Sequence, residues 1–213
     1  MVARSDTVLY IHSHRKWYVA GLILSVILFG WSAYVADRLH LAGWERRILV
    51  DVNNWPNSWR KYSIALGFIG GSAWTAVGAV IVTFIIKLYR LSWRLSASFL
   101  VASVIVYVTK HIVNRPQPAS FLPQLHVRVA ASGTAFPSGA MTIATIVALS
   151  LLPYMRHKWR VIVPIWIILV GLSRLYLGVY APLDVLAGFA LGGILVTLIR
   201  IMPQNVRVFL RLD

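Results

Sequence analysis

Six apolar runs, parted by short basic loops, limit what this chain can fold into. They fall at about residues 17–35, 64 or 72 to 86, 95–113, 138–154, 161–172 and 183–201. A helix needs ~20 apolar residues to cross a bilayer. Backbone N–H and C=O groups find no water in hydrocarbon, so each span must satisfy its own hydrogen bonds. The runs therefore predict an all-α integral membrane bundle of six transmembrane helices. Composition agrees: 59% of residues are hydrophobic and 13% charged, and the mean hydropathy is +0.73. Soluble domains have roughly 45–50% apolar and about 25% charged residues. The 213 residues leave room for a single domain, 1–213.

The stretches between the runs set the expected topology. Residues 1–16 are polar and basic, with Arg4, Arg15 and Lys16. The run that follows is longer than the ~7–15 residue core of a signal peptide, so a retained first helix is expected. Residues 37–61 mix charge with Trp44, Trp55 and Trp59. They read as an interfacial segment, a solvated loop with membrane-anchoring aromatics. Gly67, Gly70, Gly71 and Gly78 suggest close helix packing in the second run. Six spans put both termini on one side. That side carries 12 Lys and Arg against 9 on the other. The positive-inside rule then gives cytoplasmic termini in a cell membrane, a bacterial inner membrane by expectation. The net charge of +15 is spread through short loops, which suits anionic lipid head groups. No basic, aromatic-interleaved groove segment points to nucleic acid. Cysteine is absent, so disulfides and thiolate sites are excluded. No carboxylate or histidine cluster implies a metal, and no cofactor is expected.

Three stretches carry the candidate chemistry, within residues 110–184. They are KHIVNRPQP at 110–118, FPSGAM at 136–141 and SRLYLGVYAPLD at 173–184. On the expected topology all three meet at the outer membrane face. Charged residues at the mouth of an apolar bundle are costly without partners or a functional role. Lys110, Arg115 and Arg174 supply cations. Ser138 follows Pro137 and opens an apolar helix, so it reads as an N-cap. A helix N-terminus offers free N–H groups and partial positive charge, which suits phosphate. Singly, each has a plainer reading: a snorkelling lysine, an ordinary cap. Tyr180 and Asp184 are four apart, on one face if the helix starts there. His111 and His126 lie in or near the outer loop. They are expected to be solvated rather than part of the site.

The order Lys…Arg-Pro, Pro-Ser-Gly, Ser-Arg…Asp resembles the three-part signature of the type 2 phosphatidic acid phosphatase and vanadium haloperoxidase superfamily. The resemblance covers roughly residues 100–195, and six spans is also the arrangement of that family's membrane branch. It implies a phosphate cradle of Lys110, Ser138, the Gly139 amide and Arg174. The family's first part ends in Arg-Pro, but Gln117 stands at that arginine, and Arg115-Pro116 two residues earlier is a possible substitute. Its second part ends in the general-acid histidine, where Ala140 stands. Its third part holds the nucleophilic histidine, where Tyr180 stands, followed by the orienting aspartate at Asp184. Alanine transfers no proton, and a phenol with a pKa of about 10 is a poor nucleophile at neutral pH. The expectation is a protein that binds a lipid phosphate or diphosphate, of polyprenyl phosphate or phosphatidate type. It would do so for transport or regulation, without the family's hydrolysis. The alternatives are an active lipid phosphate phosphatase, one inactivated by engineering, and a structural membrane protein with a vestigial site.

Overall fold

The computed structural model describes residues 3–38, 41–130 and 133–201, with side chains from residue 16 on. Eight α-helices follow one another: α1 Ala3–Arg38, α2 Gly43–Asn53, α3 Arg60–Gly71 and α4 Ala73–Ile85. After them come α5 Tyr89–Val113, α6 Gly139–Leu151, α7 Ile162–Tyr176 and α8 Pro182–Ile201. Short 3-10 turns join several of them, and the described residues include no strand. Residues 202–213, which include Arg207 and Arg211, lie outside the described residues.

The core is built on α6 and α8. Helix α6 packs against α3, α4, α5, α7 and α8, and α1 lies along α8. Residues that can sit at the centre of such a bundle are small. Ala144, Thr145, Ala148 and Ser150 of α6 are buried, as are Ala187, Gly188, Ala190, Gly192 and Gly193 of α8. A Cβ at Gly188 would collide with the Ser138 carbonyl, and one at Gly71 with the Ala140 backbone. These two glycines let α8 and α3 reach the first turn of α6. Gly78, grouped with them on sequence, has nothing within 4 Å of its missing Cβ.

Among the described residues, four helical stretches are long and apolar enough to cross a membrane: Lys16–Arg38, Tyr89–Ser120, His157–Tyr176 and Pro182–Ile201. The expected second run is bent by 53° between Asn57–Gly71 and Ala73–Ile85, and counts as a fifth if taken as one span. Ser72 caps the new helix, its Oγ accepting from the Thr75 N–H at 3.1 Å. Thr75 Oγ1 donates back to the Phe68 and Ile69 carbonyls at 2.8 Å. Polar groups freed by the break are thus satisfied within the chain, as hydrocarbon requires. The expected fourth run, Gly139–Tyr154, is a shorter apolar helix.

Residues 37–61 differ from the solvated loop expected of them. Helix α2 buries Glu45, Leu49, Val52 and Asn53. Leu49 and Val52 join Leu122, Leu125, Leu175, Tyr176, Leu177 and Val179 in one apolar cluster. The outward face keeps Trp44, which stacks on Trp31 of α1 with ring centroids 6.5 Å apart. Charges at Arg46, Arg47 and Asp51 on the exposed side make the segment look solvated as a whole.

Candidate functional site

Four chain segments converge at one end of the bundle: the end of α5, the start of α6, the end of α7 and the start of α8. Helix α5 stops at Asn114, whose backbone is left-handed at φ 43°. Lys110, in its last turn, donates from Nζ to the Thr134 carbonyl. The extended residues after α5 pair with the run into α6. The Ala135 N–H donates to the Arg115 carbonyl at 2.9 Å, and Gln117 Nε2 donates to the Gly133 carbonyl at 3.1 Å. Ser138 is the N-cap of α6, its Oγ accepting from the Met141 N–H at 3.3 Å. Its own N–H donates to the Asp184 carbonyl at 2.9 Å, which seats α6 on α8.

Arg174 lies within the last turn of α7, which runs past the expected end of the fifth run. Its Nη2 donates to the Gly67 carbonyl. A Cβ at Gly67 would sit 2.5 Å from that nitrogen, so the guanidinium occupies space only glycine leaves. Arg174 Nε is buried and has no hydrogen-bond partner among the described residues. Tyr180 precedes α8, which starts at Pro182, so the pair Tyr180 and Asp184 does not share a helix face as expected. Burial pushes the Tyr180 phenol above its ordinary pKa of 10; nearby Arg174 pulls it down and Asp184 adds to the rise. Ala140, half-buried in the first turn of α6, presents its backbone to Gly71.

Two expected site residues take other partners. Arg115, 2% exposed, donates from Nη1 to Asp184 Oδ1 and from Nη2 to Glu45 Oε2, each at 2.8 Å. It is committed to carboxylates and is not placed as a phosphate ligand. Asp184, fully buried, accepts the Ala181 N–H on Oδ2 at 2.7 Å and Arg115 on Oδ1. Its carboxylate turns to that arginine rather than to residue 180. Glu45 completes the cluster, accepting from the Ala42 and Leu183 amides at 3.1 Å. Sequence reasoning missed Glu45, although it is the chain's sole glutamate among six acids, and so a rare and costly group beside apolar runs.

A second polar cluster pins the loop before α6. Asn53 Nδ2 donates to the His126 and Tyr176 carbonyls at 3.1 and 3.0 Å, and its Oδ1 accepts the His126 N–H at 2.9 Å. Arg128 lies 4.0 Å over the Tyr176 ring and donates to the Tyr176 and Asn53 carbonyls at 2.8 Å. His126 is held by its backbone with an exposed side chain, and His111 pairs through Nδ1 with the Tyr107 carbonyl of its own helix. Among the described residues, no three His, Cys, Asp or Glu come together as metal ligands.

The family model of the PAP2 superfamily matches residues 91–207, more than half the chain. The chain belongs to the PAP2 superfamily. PAP2 relatives include a protein of Sulfolobus acidocaldarius named undecaprenyl-diphosphatase, 33% identical over 121 residues, covering 56% of this chain and 58% of that one. Phosphatidylglycerophosphatase B of Bacillus subtilis is 36% identical over 112 residues, covering 48% of this chain and 53% of its own. The chain thus spans a little over half the length of these relatives. The crystal structure of Aquifex aeolicus LpxE superposes with a TM-score of 0.69 at 24% identity, covering 76% of this chain and 97% of that one. That likeness establishes a shared fold. The PAP2 match takes in Lys110, Ser138, Arg174, Tyr180 and Asp184, and stops short of Glu45.

Proposed function

We propose that this PAP2 chain binds a lipid phosphate or diphosphate, of polyprenyl phosphate or phosphatidate type, for transport or regulation. The cradle is Lys110, Ser138, the Gly139 amide and Arg174, within residues 110–184 of a single domain, 1–213. The observation that carries this is the buried Nε of Arg174, unpartnered among the described residues, at the end of the bundle where α6 begins. A buried guanidinium N–H without an acceptor is costly, and a phosphate oxygen would remove that cost. The relatives' names, a diphosphatase of a polyprenyl lipid and a phosphatase of a phospholipid, support the ligand class.

Hydrolysis by the family's route is not part of the proposal. Ala140 stands where a general acid is expected and has no proton to give. Tyr180 stands at the nucleophile, and its raised pKa keeps it a phenol at neutral pH. We place the site at the outer face of a bacterial inner membrane, with six spans and cytoplasmic termini. The six are α1, the bent pair α3–α4, α5, α6, α7 and α8.

The test is lipid-phosphate affinity and phosphate release of the purified protein. Arg174→Ala should weaken binding at least tenfold, about 1.4 kcal/mol, while release from phosphatidate or a polyprenyl diphosphate stays at background. Unchanged affinity would leave a structural protein with a vestigial site. Phosphate release that Tyr180→Phe abolishes would establish a tyrosine nucleophile and an active phosphatase, the reading the relatives' names favour.

A further inference from the structure

The cluster that the phosphate cradle leaves unused is the buried Glu45–Arg115–Asp184 ion triad. We propose that these three residues form a positioning unit for the cradle, and that the Asp184 carboxylate serves this unit rather than residue 180. The proposal takes its ligand from the phosphate-binding function above.

One guanidinium joins segments that are far apart in sequence. Arg115 follows α5, Glu45 is in the first turn of α2 and Asp184 in the first turn of α8. All three are at most 2% exposed. The carboxylates in turn hold backbone: Glu45 takes the Ala42 and Leu183 amides, and Asp184 takes the Ala181 amide. Two more links reach the cradle. The Ser138 N–H donates to the Asp184 carbonyl, and the Ala135 N–H to the Arg115 carbonyl. The cap of α6 therefore rests on the residue that Arg115 holds, and Lys110 sits just over one turn before Arg115.

Energetics favour positioning over bulk stability. Desolvating buried ions offsets most of their attraction, so such clusters rarely outdo apolar packing, and their best-attested use is to fix register. Two acids against one arginine leave the triad with a net negative formal charge, which does not attract phosphate. A planar fork is needed to meet two carboxylates at once, and lysine has none. Arg115, the possible substitute for the arginine of the first signature part, thus gains a structural role. At 115 it ties Asp184 down, while Gln117 stands at the expected position and bonds Gly133.

The experiment uses Glu45→Gln and Arg115→Lys in the full-length detergent-purified protein. Two readings are taken: affinity for inorganic phosphate by titration calorimetry, and hydrogen exchange at the Ser138 amide. Ser138 touches neither replaced side chain, so its exchange reports the transmitted position. The expected result is at least fivefold weaker phosphate binding with faster Ser138 exchange, in variants that still melt cooperatively. Unchanged Ser138 exchange, or affinity that is unchanged or tighter, overturns the proposal. Tighter binding of Glu45→Gln would mean that its charge alone matters. Wild type that binds no phosphate would end the phosphate-binding function. The positioning unit would then stand or fall on Ser138 exchange alone. Should Glu45→Gln not fold, Arg115→Lys, which keeps the buried positive charge, carries both readings.

Discussion

Tyr180 is the residue on which the proposal of binding without catalysis turns. Its phenol is half-buried beside Arg174, and burial raises its pKa above 10. A raised acid holds its proton in the folded state after the unfolded state has lost it. Stability is then fully present below pH 10 and falls as pH rises from there through the folded value. Wild type should therefore lose melting temperature more steeply above pH 10 than Tyr180→Phe, with the two parallel near pH 7; equal slopes would remove the buried-phenol account. At this scale the chain is only partly legible. Ser138 is readable as a cap because Pro-Ser-Gly before an apolar run has a local meaning. The partnership of Arg115 and Asp184 is not, because 69 residues separate them and nothing local fixes that pairing. Glu45 hides inside a stretch whose other charges face outward.

Helices are easier to read than their contacts. An apolar run of given length declares a span, but which glycine meets a neighbour depends on rotation and crossing. Gly71 and Gly78 look alike in sequence and differ in the fold. A methyl at Gly71 would overlap the Ala140 backbone, which belongs to a helix and cannot yield, whereas Gly78 faces open space. Gly71→Ala should therefore destabilise by about 1–3 kcal/mol, as overpacking does. Gly78→Ala, in the middle of α4, should be neutral or stabilising by up to ~1 kcal/mol. Thermal melts of the two variants in one detergent decide it; a harmless Gly71→Ala would mean that α3 and α6 lie further apart. The bend at Ser72 is hinted at by the alternative starts of the second run, at 64 or 72. Helix α2 escapes such a reading because its apolar face, Leu49 and Val52, is short and interrupted by charge.

At the scale of the whole molecule, exposed aromatics are spread over a largely apolar surface. Trp17, Trp93 and Trp159 stand near the starts of the apolar run of α1, of α5 and of α7, Trp44, Trp55 and Trp59 lie in or just after α2, and Trp31 and Trp74 are exposed as well. Trp and Tyr concentrate at membrane–water interfaces, so on the proposed six-span topology the first two groups would mark the two boundaries. Length alone leaves α6 in question, since its α-helical part has 13 residues and only the added Leu152–Tyr154 turn lengthens it. If α6 crosses, the loop after α5 and the loop after α6 lie on opposite sides. The chain has no cysteine, so single cysteines can be placed without removing any. Ser120, Arg90 and Lys158 are exposed and are not among the cradle residues. In intact bacterial cells with a permeable outer membrane, Ser120→Cys should react with a membrane-impermeant maleimide. Arg90→Cys and Lys158→Cys should react only after the inner membrane is opened. Labelling of Ser120→Cys and Lys158→Cys from the same side would make α6 a re-entrant helix, and five spans would replace six. Labelling of Ser120→Cys only after opening would turn the molecule over and put the cradle at the cytoplasmic face.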